Sequence, residues 1–226
     1  RNNIPDDFIR GKVFKYVYTG YGLNWVNLEK FKDFDDYLMS LKSQNRRNIR
    51  LSYEKNDKTN ITESIEQEKL KDIYSLVELN GEINNYSVRP YNDLETVLKC
   101  LLSSKKLICI RTYFNHQIIS SGFSVDNDYY ISYLFGGTKR MKPDTKAGYS
   151  IHFENIKLSF KNKYKGYNIS MGGSKGVKDF KSKFGAEEIF FKNPHYHVIH
   201  KPFVFKLFSL VNKYLKKYKS TIAKWL

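Results

Sequence analysis

"GYNISMGGSKGVKDFKSKFG", residues 166–185, reads as a short apolar strand that runs into a double glycine and then opens a helix. At about 100° per residue, Val177, Phe180 and Phe184 fall on one face of that helix, and Lys181 falls on the margin of the same face. Lys175, Lys178 and Lys183 fall elsewhere on the wheel, where solvent can take their charges. One lysine is thus set among apolar side chains, beside a Gly172–Gly173 pair that lets another group approach the backbone.

Working outward, "KAGYSIHFENIKLSFKNKY" (146–164) predicts a helix on which Tyr149, Phe153, Ile156 and Phe160 share one face while Ile151 and Leu158 cover another. Such a helix is buried on more than one side. Before it, "KLICIRTYF" (106–114), "QIISSGFSV" (117–125) and "YYISYLFGG" (129–137) predict a β-meander with turns at Asn115–His116 and Asp126–Asp128. Two helices precede the meander: "SIEQEKLKDIYSLVELNG" (64–81), ending at Gly81, and "YNDLETVLKCLLSS" (91–104). Further upstream, "VFKYVYTGYGLNWVNLE" (13–29) predicts a strand pair, "KDFDDYLMSLKSQNRRNIRLSYEK" (32–55) is helical with a break near Ser43, and residues 57–64 form a polar loop. Downstream, "EEIFFK" (187–192) and "YHVIHK" (196–201) predict a final strand pair around Asn193–Pro194.

Composition limits what this chain can be. At 226 residues, with 41% hydrophobic and 16% aromatic content, it can bury one large core or two small ones. No run approaches the roughly 18 apolar residues of a membrane span, and "RNNIPDDFIRGK" lacks the apolar centre of a signal peptide, so the expected location is the cytoplasm. An Arg at position 1, in a segment already reading toward a strand, points to missing upstream sequence. Cys100 and Cys109 have no metal or redox spacing and sit in apolar runs, which predicts buried reduced thiols. A net charge of +16 calls for anionic partners: nucleic acid, phosphate-bearing cofactors, nucleotide-linked sugars or the inner membrane face.

Two runs together, "YSIHFENIKLSFKNKYKGYNISMGG" (149–173) and "GVKDFKSKFGAE" (176–187), resemble the signature region of the Fem-like branch of the GNAT superfamily of N-acetyltransferases. The Ile-His-aromatic-Glu entry at Ile151–Glu154, the Tyr-x-x-x-x-Gly-Gly exit at Tyr167–Gly173 and the Phe-Lys-x-x-Phe-Gly end at Phe180–Gly185 occur together. "LKSQNRRNIRLSYEK" (41–55) is similar to the Arg-rich helix that precedes the transferase domain in that branch. The resemblance covers roughly residues 30–205, with Asn168 where the family commonly has Asp. It implies an α/β (α+β) fold, a mixed but mainly antiparallel sheet with helices on both faces, preceded by a partial first lobe. The implied organisation is residues 1–56 as N-terminal strands and Arg-rich helix, 57–205 as the acyltransferase domain, and 206–226 as a basic amphipathic helix.

The resemblance further implies acyl transfer to an amine, from acyl-CoA in the superfamily at large or from aminoacyl-tRNA in its peptidoglycan-bridge members. Transfer from a thioester or ester passes through a tetrahedral species whose oxygen becomes negative, so a donor aimed at that oxygen is the group a protein most usefully supplies. Lys181, in the Phe180-Lys181 pair, is the implied donor. Gly136, Gly137, Lys139, Arg140 and Lys142 replace the superfamily's usual pyrophosphate loop and are candidates for the donor's phosphates. Arg46, Arg47 and Arg50 form a cluster suited to a phosphate-bearing or lipid-linked acceptor, and Gly172 and Gly173 are candidates for letting the substrate approach the strand end. His152 matches the family's helix histidine and reads as a core residue. His195, His197 and His200 have no acidic or Cys partners in sequence, so no metal is expected.

From residue 203 on, Leu207, Val211, Tyr214, Tyr218, Ile222 and Trp225 form an apolar stripe among Lys213, Lys216, Lys217 and Lys219, suited to closing a core, to covering the missing lobe or to peripheral contact with an anionic membrane. The reading reached is an N-acyltransferase moving acetyl from acetyl-CoA to an amine of a cell-envelope precursor such as an amino sugar, with no tightly bound cofactor. An aminoacyl-tRNA-dependent peptidoglycan-bridge transferase and a non-enzymatic polyanion-binding module are the alternatives.

Overall fold

The computed structural model describes residues 13–14, 22–56, 58–61, 69–84, 86–191, 197–198 and 201–214. In chain order the elements are β1 (Val13–Phe14), β2 (Gly22–Asn27), α1 (Phe34–Ser40), α2 (Ser43–Glu54), β3 (Lys58–Ile61), α3 (Leu70–Ile83) and α4 (Tyr91–Ser103). Then come β4 (Leu107–Phe114), β5 (Gln117–Asp126), β6 (Tyr130–Thr138), α5 (Ala147–Lys161), β7 (Gly166–Asn168), α6 (Lys175–Ser182), β8 (Glu187–Phe190), β9 (His197–Val198) and α7 (Pro202–Tyr214). Leu23–Ile189 form one compact unit, and β1, β9 and α7 belong to a second.

A seven-stranded sheet in the order β3-β4-β5-β6-β7-β2-β8 organises the larger unit. The β3–β4, β4–β5, β5–β6 and β2–β7 pairs are antiparallel, whereas β6 and β7 run parallel. The meander is held by short turns: Asn115 and His116 both take positive φ, 48° and 60°, the geometry of a type I′ hairpin whose twist matches its strands. A parallel pair cannot be joined by a hairpin, and α5 provides the crossover between β6 and β7.

Alternation along β4 divides the core in two. Leu107 and Cys109, with Phe123 of β5, pack against Leu70, Ile73, Tyr74 and Val77 of α3 and Leu98 of α4. Ile108 and Ile110, with Ile131 of β6, pack against Ile151, Phe153 and Ile156 of α5 and Tyr37 and Ile49 of α1 and α2. Helices therefore cover both faces, as expected for this fold class. Each fully buried side chain of this size is worth about 1.5–3 kcal/mol, against about 0–1 for an exposed ion pair such as Lys30–Glu187, so the two cores carry the stability.

Several local expectations change. The polar stretch around residues 58–61 is an edge strand, for which backbone pairing with β4 suffices without an apolar pattern. α3 continues through Gly81 to Ile83, because a glycine there lets Val88 pack close: a Cβ would lie 2.2 Å from its Cγ2. β8 and β9 do not pair with each other; β8 borders β2 in the large sheet, and β9 pairs with β1. Cys109 is buried but Cys100 is exposed. The described apolar side chains of α7 from Phe203 to Leu210 are exposed, apart from half-buried Phe205. No helix among the described residues is long and apolar enough to cross a membrane. The expectations for Gly20, His195, His200, Tyr218, Ile222 and Trp225 fall outside the described residues.

Candidate active site

β6 and β7 stay in register for three residues, with Ser132 opposite Asn168 as the last pair. Beyond that point β6 continues to Thr138, while the chain leaving β7 turns away toward α6. Asn168 sits at the fork. Its Oδ1 accepts from the backbone N–H groups of Asn24 (3.3 Å) and Ser170 (3.1 Å), and its Nδ2 donates to Ser132 Oγ (3.3 Å). An Asp here would offer only acceptors; the Asn amide adds the donor that ties β7 to β6, while its oxygen ties β7 to β2.

The fork opens a cleft of about 920 Å³ beyond the carboxyl end of β7, where parallel strands characteristically leave room for a ligand. Tyr133, Tyr149, His152, Phe180, Lys181 and the 170–173 turn are among the groups that line it. Tyr149 and Phe180 meet edge to face at 5.1 Å, and Phe184 lies beneath both rings. The end of α6 is fixed from outside the cleft. Tyr37 Oη donates to the Phe184 carbonyl (3.1 Å), and Asn45 Nδ2 donates to the Lys183 carbonyl (3.1 Å).

Lys181 is 7% exposed, so it does not reach past Phe180 into solvent. Its Nζ donates to the carbonyl oxygens of Ser170 (2.9 Å) and Gly172 (3.0 Å). An ammonium has three N–H donors, which leaves one beyond these two. Burial holds its pKa below the ordinary lysine value; Glu188 pulls it up and Lys178 pushes it down. Val177 departs from the expected buried face: it is exposed and lines the cleft beside Gly173.

His152 carries more than its sequence position suggested. Its Nδ1 lies 2.7 Å from Tyr167 Oη, and its pKa is pushed down to about 3, first by burial and then by the Lys181 charge. The Tyr167 hydroxyl also receives the Asn155 side-chain amide. Tyr167 Oη and His152 Nδ1 share a hydrogen bond whose donor is set by the tautomer of the ring. The ring stays neutral at such a pKa, and His152 lines the cleft.

Gly136 and Gly137 lie within β6, not in a loop. A Cβ on Gly137 would stand 1.9 Å from the Leu76 carbonyl oxygen, and one on Gly136 would stand 2.4 Å from that of Ser121, so both allow close packing while lining the cleft with bare backbone. Lys139, Arg140 and Lys142 line an adjoining cavity of about 1290 Å³, which shares Thr138, Asp144, Gly173 and Val177 with the cleft. Arg140 Nη2 is held by Asn84 Oδ1 at 2.8 Å.

The arginine cluster is placed apart from this site. Arg46, Arg47 and Arg50 line a separate depression of about 520 Å³ with Tyr53 and Phe153, none of whose lining residues lines the cleft. Arg46 Nη1 donates to the carbonyls of Met39 (3.1 Å) and Leu41, and Arg50 pairs with Glu54. Among the described residues no group of three metal-ligating side chains comes together.

With this geometry in hand, the chain can be set against known proteins. No family model and no curated protein matches the sequence. Among solved structures it is similar to FemX, with a TM-score of 0.63 and 13% identity over 87% of this chain and 68% of that one. It is also similar to a conserved protein of unknown function from Bacteroides thetaiotaomicron, with a TM-score of 0.56 and 13% identity over 82% of this chain and 62% of that one. A third is the C-terminal domain of a protein assigned as a lysylphosphatidylglycerol synthetase from Agrobacterium fabrum, with a TM-score of 0.50 and 10% identity over 84% of this chain and 63% of that one. The chain spans about two thirds of the length of these structures. At such identities the likeness is one of architecture: the chain has the fold seen in FemX.

Proposed function

We propose that the chain is an N-acyltransferase that moves an acyl group, acetyl from acetyl-CoA, onto an amine of a cell-envelope precursor such as an amino sugar. The observation that carries this reading is Lys181: a buried lysine on the cleft wall, fixed by two backbone carbonyls and with one N–H to spare. The acceptor amine attacks the acyl carbonyl carbon, the carbonyl oxygen gains negative charge, and the third Lys181 N–H receives it. Collapse of the tetrahedral species expels the thiolate, which takes up the proton that the amine nitrogen sheds, so that amide and thiol are the products. His152 is too weak a base to take that proton, with a pKa of about 3.

Lys139, Arg140 and Lys142 suit the donor's phosphates in the adjoining cavity, while Tyr133, Tyr149 and Phe180 offer ring faces for a sugar. Gly172 and Gly173 let the acceptor come close to the strand end. In this reading the donor is a cosubstrate rather than a resident cofactor, and the reaction takes place in the cytoplasm. The high positive charge supports aminoacyl-tRNA as the second candidate donor.

A thermal-shift screen of acetyl-CoA, charged tRNA and UDP-linked amino sugars tests the reading, with product mass measured for each pair that stabilises the protein. At a hundredfold excess over Kd, a ligand adds about 2.7 kcal/mol, or roughly 5–10 °C for a chain of this size. Stabilisation by acetyl-CoA and an acetylated amino sugar are expected. Stabilisation by charged tRNA alone would transfer the reading to the aminoacyl donor.

A further inference from the structure

From Ile189 to Leu226 the sequence carries eight lysines and no aspartate or glutamate. α7 lies in this segment, and it leaves its large apolar side chains in solvent: Phe203 is 81% exposed, Leu207 and Phe208 are each 55% exposed, and Tyr214 is 67% exposed. With Val204 and Leu210, also exposed, these residues fall within an arc of about 160° on the helix. Lys206 lies outside that arc, and Phe205, on the opposite side, is half-buried. The apolar arc is thus exposed, and Phe205 lies away from it.

We propose that α7 docks the chain in the plane of a membrane whose surface carries anionic phospholipid headgroups. An in-plane helix sinks an apolar arc to the headgroup boundary and keeps its lysines at the polar level, which is the distribution α7 presents. Among the described residues no helix is long enough to span instead. Eight lysines in a segment whose sequence has no acidic residue complement an anionic surface. A second copy of this chain would bring two such segments face to face, like charge against like charge. RNA would match the lysines and leave the apolar arc without a partner. This inference does not depend on what the cleft transfers.

Cosedimentation of the full chain with vesicles tests it. One set is pure phosphatidylcholine, and the other is a two-to-one mixture of phosphatidylcholine and phosphatidylglycerol, at low and high salt. Binding to the mixed vesicles is expected, weakening with salt and far weaker on the neutral ones. Lys201→Gln with Lys206→Gln should lower partition by about fivefold per lysine. Leu207→Asp with Phe208→Asp should abolish it; both residues are exposed, and unchanged circular dichroism would show that the chain still folds. The inference is overturned if mixed vesicles do not retain the wild type or if the aspartate pair binds them as well as the wild type does. It also fails if the apolar arc instead forms a dimer that those aspartates dissociate, or if the chain retains RNA and ignores both vesicles.

Discussion

The side-chain nitrogen of Lys181 stands 2.9 Å from the carbonyl oxygen of Ser170, across the turn that joins β7 to α6. One residue therefore pins the turn that carries Gly172 and Gly173 and also places a cation on the wall of the cleft. The two carbonyls favour the charged form of the lysine, while burial disfavours it. Loss of this side chain is thus expected to act on the chemistry and, to a smaller extent, on the turn.

The close approach of α3 to β6 makes a direct prediction about glycine. In Gly137→Ala the new methyl would meet the Leu76 backbone at 1.9 Å, so helix and strand must separate, and a loss of about 2–3 kcal/mol or more is expected in urea titration. Gly176→Ala, in open space within α6, should gain about 0.5–1 kcal/mol. Equal behaviour of the two variants would show that β6 and α3 are not packed this closely.

His152 should make stability depend on acid. Its folded pKa of about 3 lies below its unfolded value, so the unfolded chain binds the extra proton. The stabilisation is complete above about pH 6.5 and declines as pH falls toward 3, by up to about 1.4 kcal/mol per unit. His152→Gln should flatten that part of the profile in denaturant midpoints measured from pH 4 to 7. The pH dependence of kcat/KM should likewise lack an inflection of His152 near neutrality; finding one that the variant removes would make this residue a base.

Arg46 and Arg47 should separate although they are adjacent. Arg46 satisfies two carbonyls at the end of α1, so Arg46→Ala should cost about 0.5–1.5 kcal/mol in thermal unfolding. Exposed Arg47→Ala should stay within about 0.5 kcal/mol. A large loss of acceptor affinity in Arg47→Ala, with stability unchanged, would place the acceptor phosphate on this helix.

Replacing Lys139, Arg140 and Lys142 together with Ala should weaken acetyl-CoA binding at least tenfold in calorimetry and make what remains less sensitive to salt. An unchanged Kd would put the donor's phosphates elsewhere.

How far the sequence was legible depends on which contacts were local. The helical period of residues 149–160 foretold a crossover helix buried on several sides, and the β-rich runs with Asn115–His116 between them foretold the meander. Lys181 could be singled out because a charge on an apolar helix margin is visible on a wheel. The Gly136–Gly137 pair looked like a loop, since glycine is poor in strands; its real constraint, the backbone of Leu76, lies some sixty residues away. The engagement of Arg46 by the end of α1 was hidden by its exposed neighbours, which suggested a ligand. The Tyr167–His152 hydrogen bond needs the β6–β7 register and the α5 crossover together, and no spacing announces it. Nothing in the amphipathic pattern of α7 told whether a core would take its apolar face; the structure leaves it exposed.

The central claim is tested most directly by measuring transfer from acetyl-CoA to a UDP-linked amino sugar by Lys181→Met, with Lys178→Met as control. Lys178 is exposed and pairs with Glu188 at 2.8 Å, a contact worth little on its own. Removing an oxyanion donor costs roughly 3–4 kcal/mol, so kcat should fall by about two to three orders of magnitude in Lys181→Met and stay near wild type in Lys178→Met. Donor affinity should change far less, because the ground-state carbonyl carries little charge. Small and equal losses of kcat in the two variants, with both folded, would contradict the account and leave Lys181 as a clamp on the Ser170–Gly172 turn.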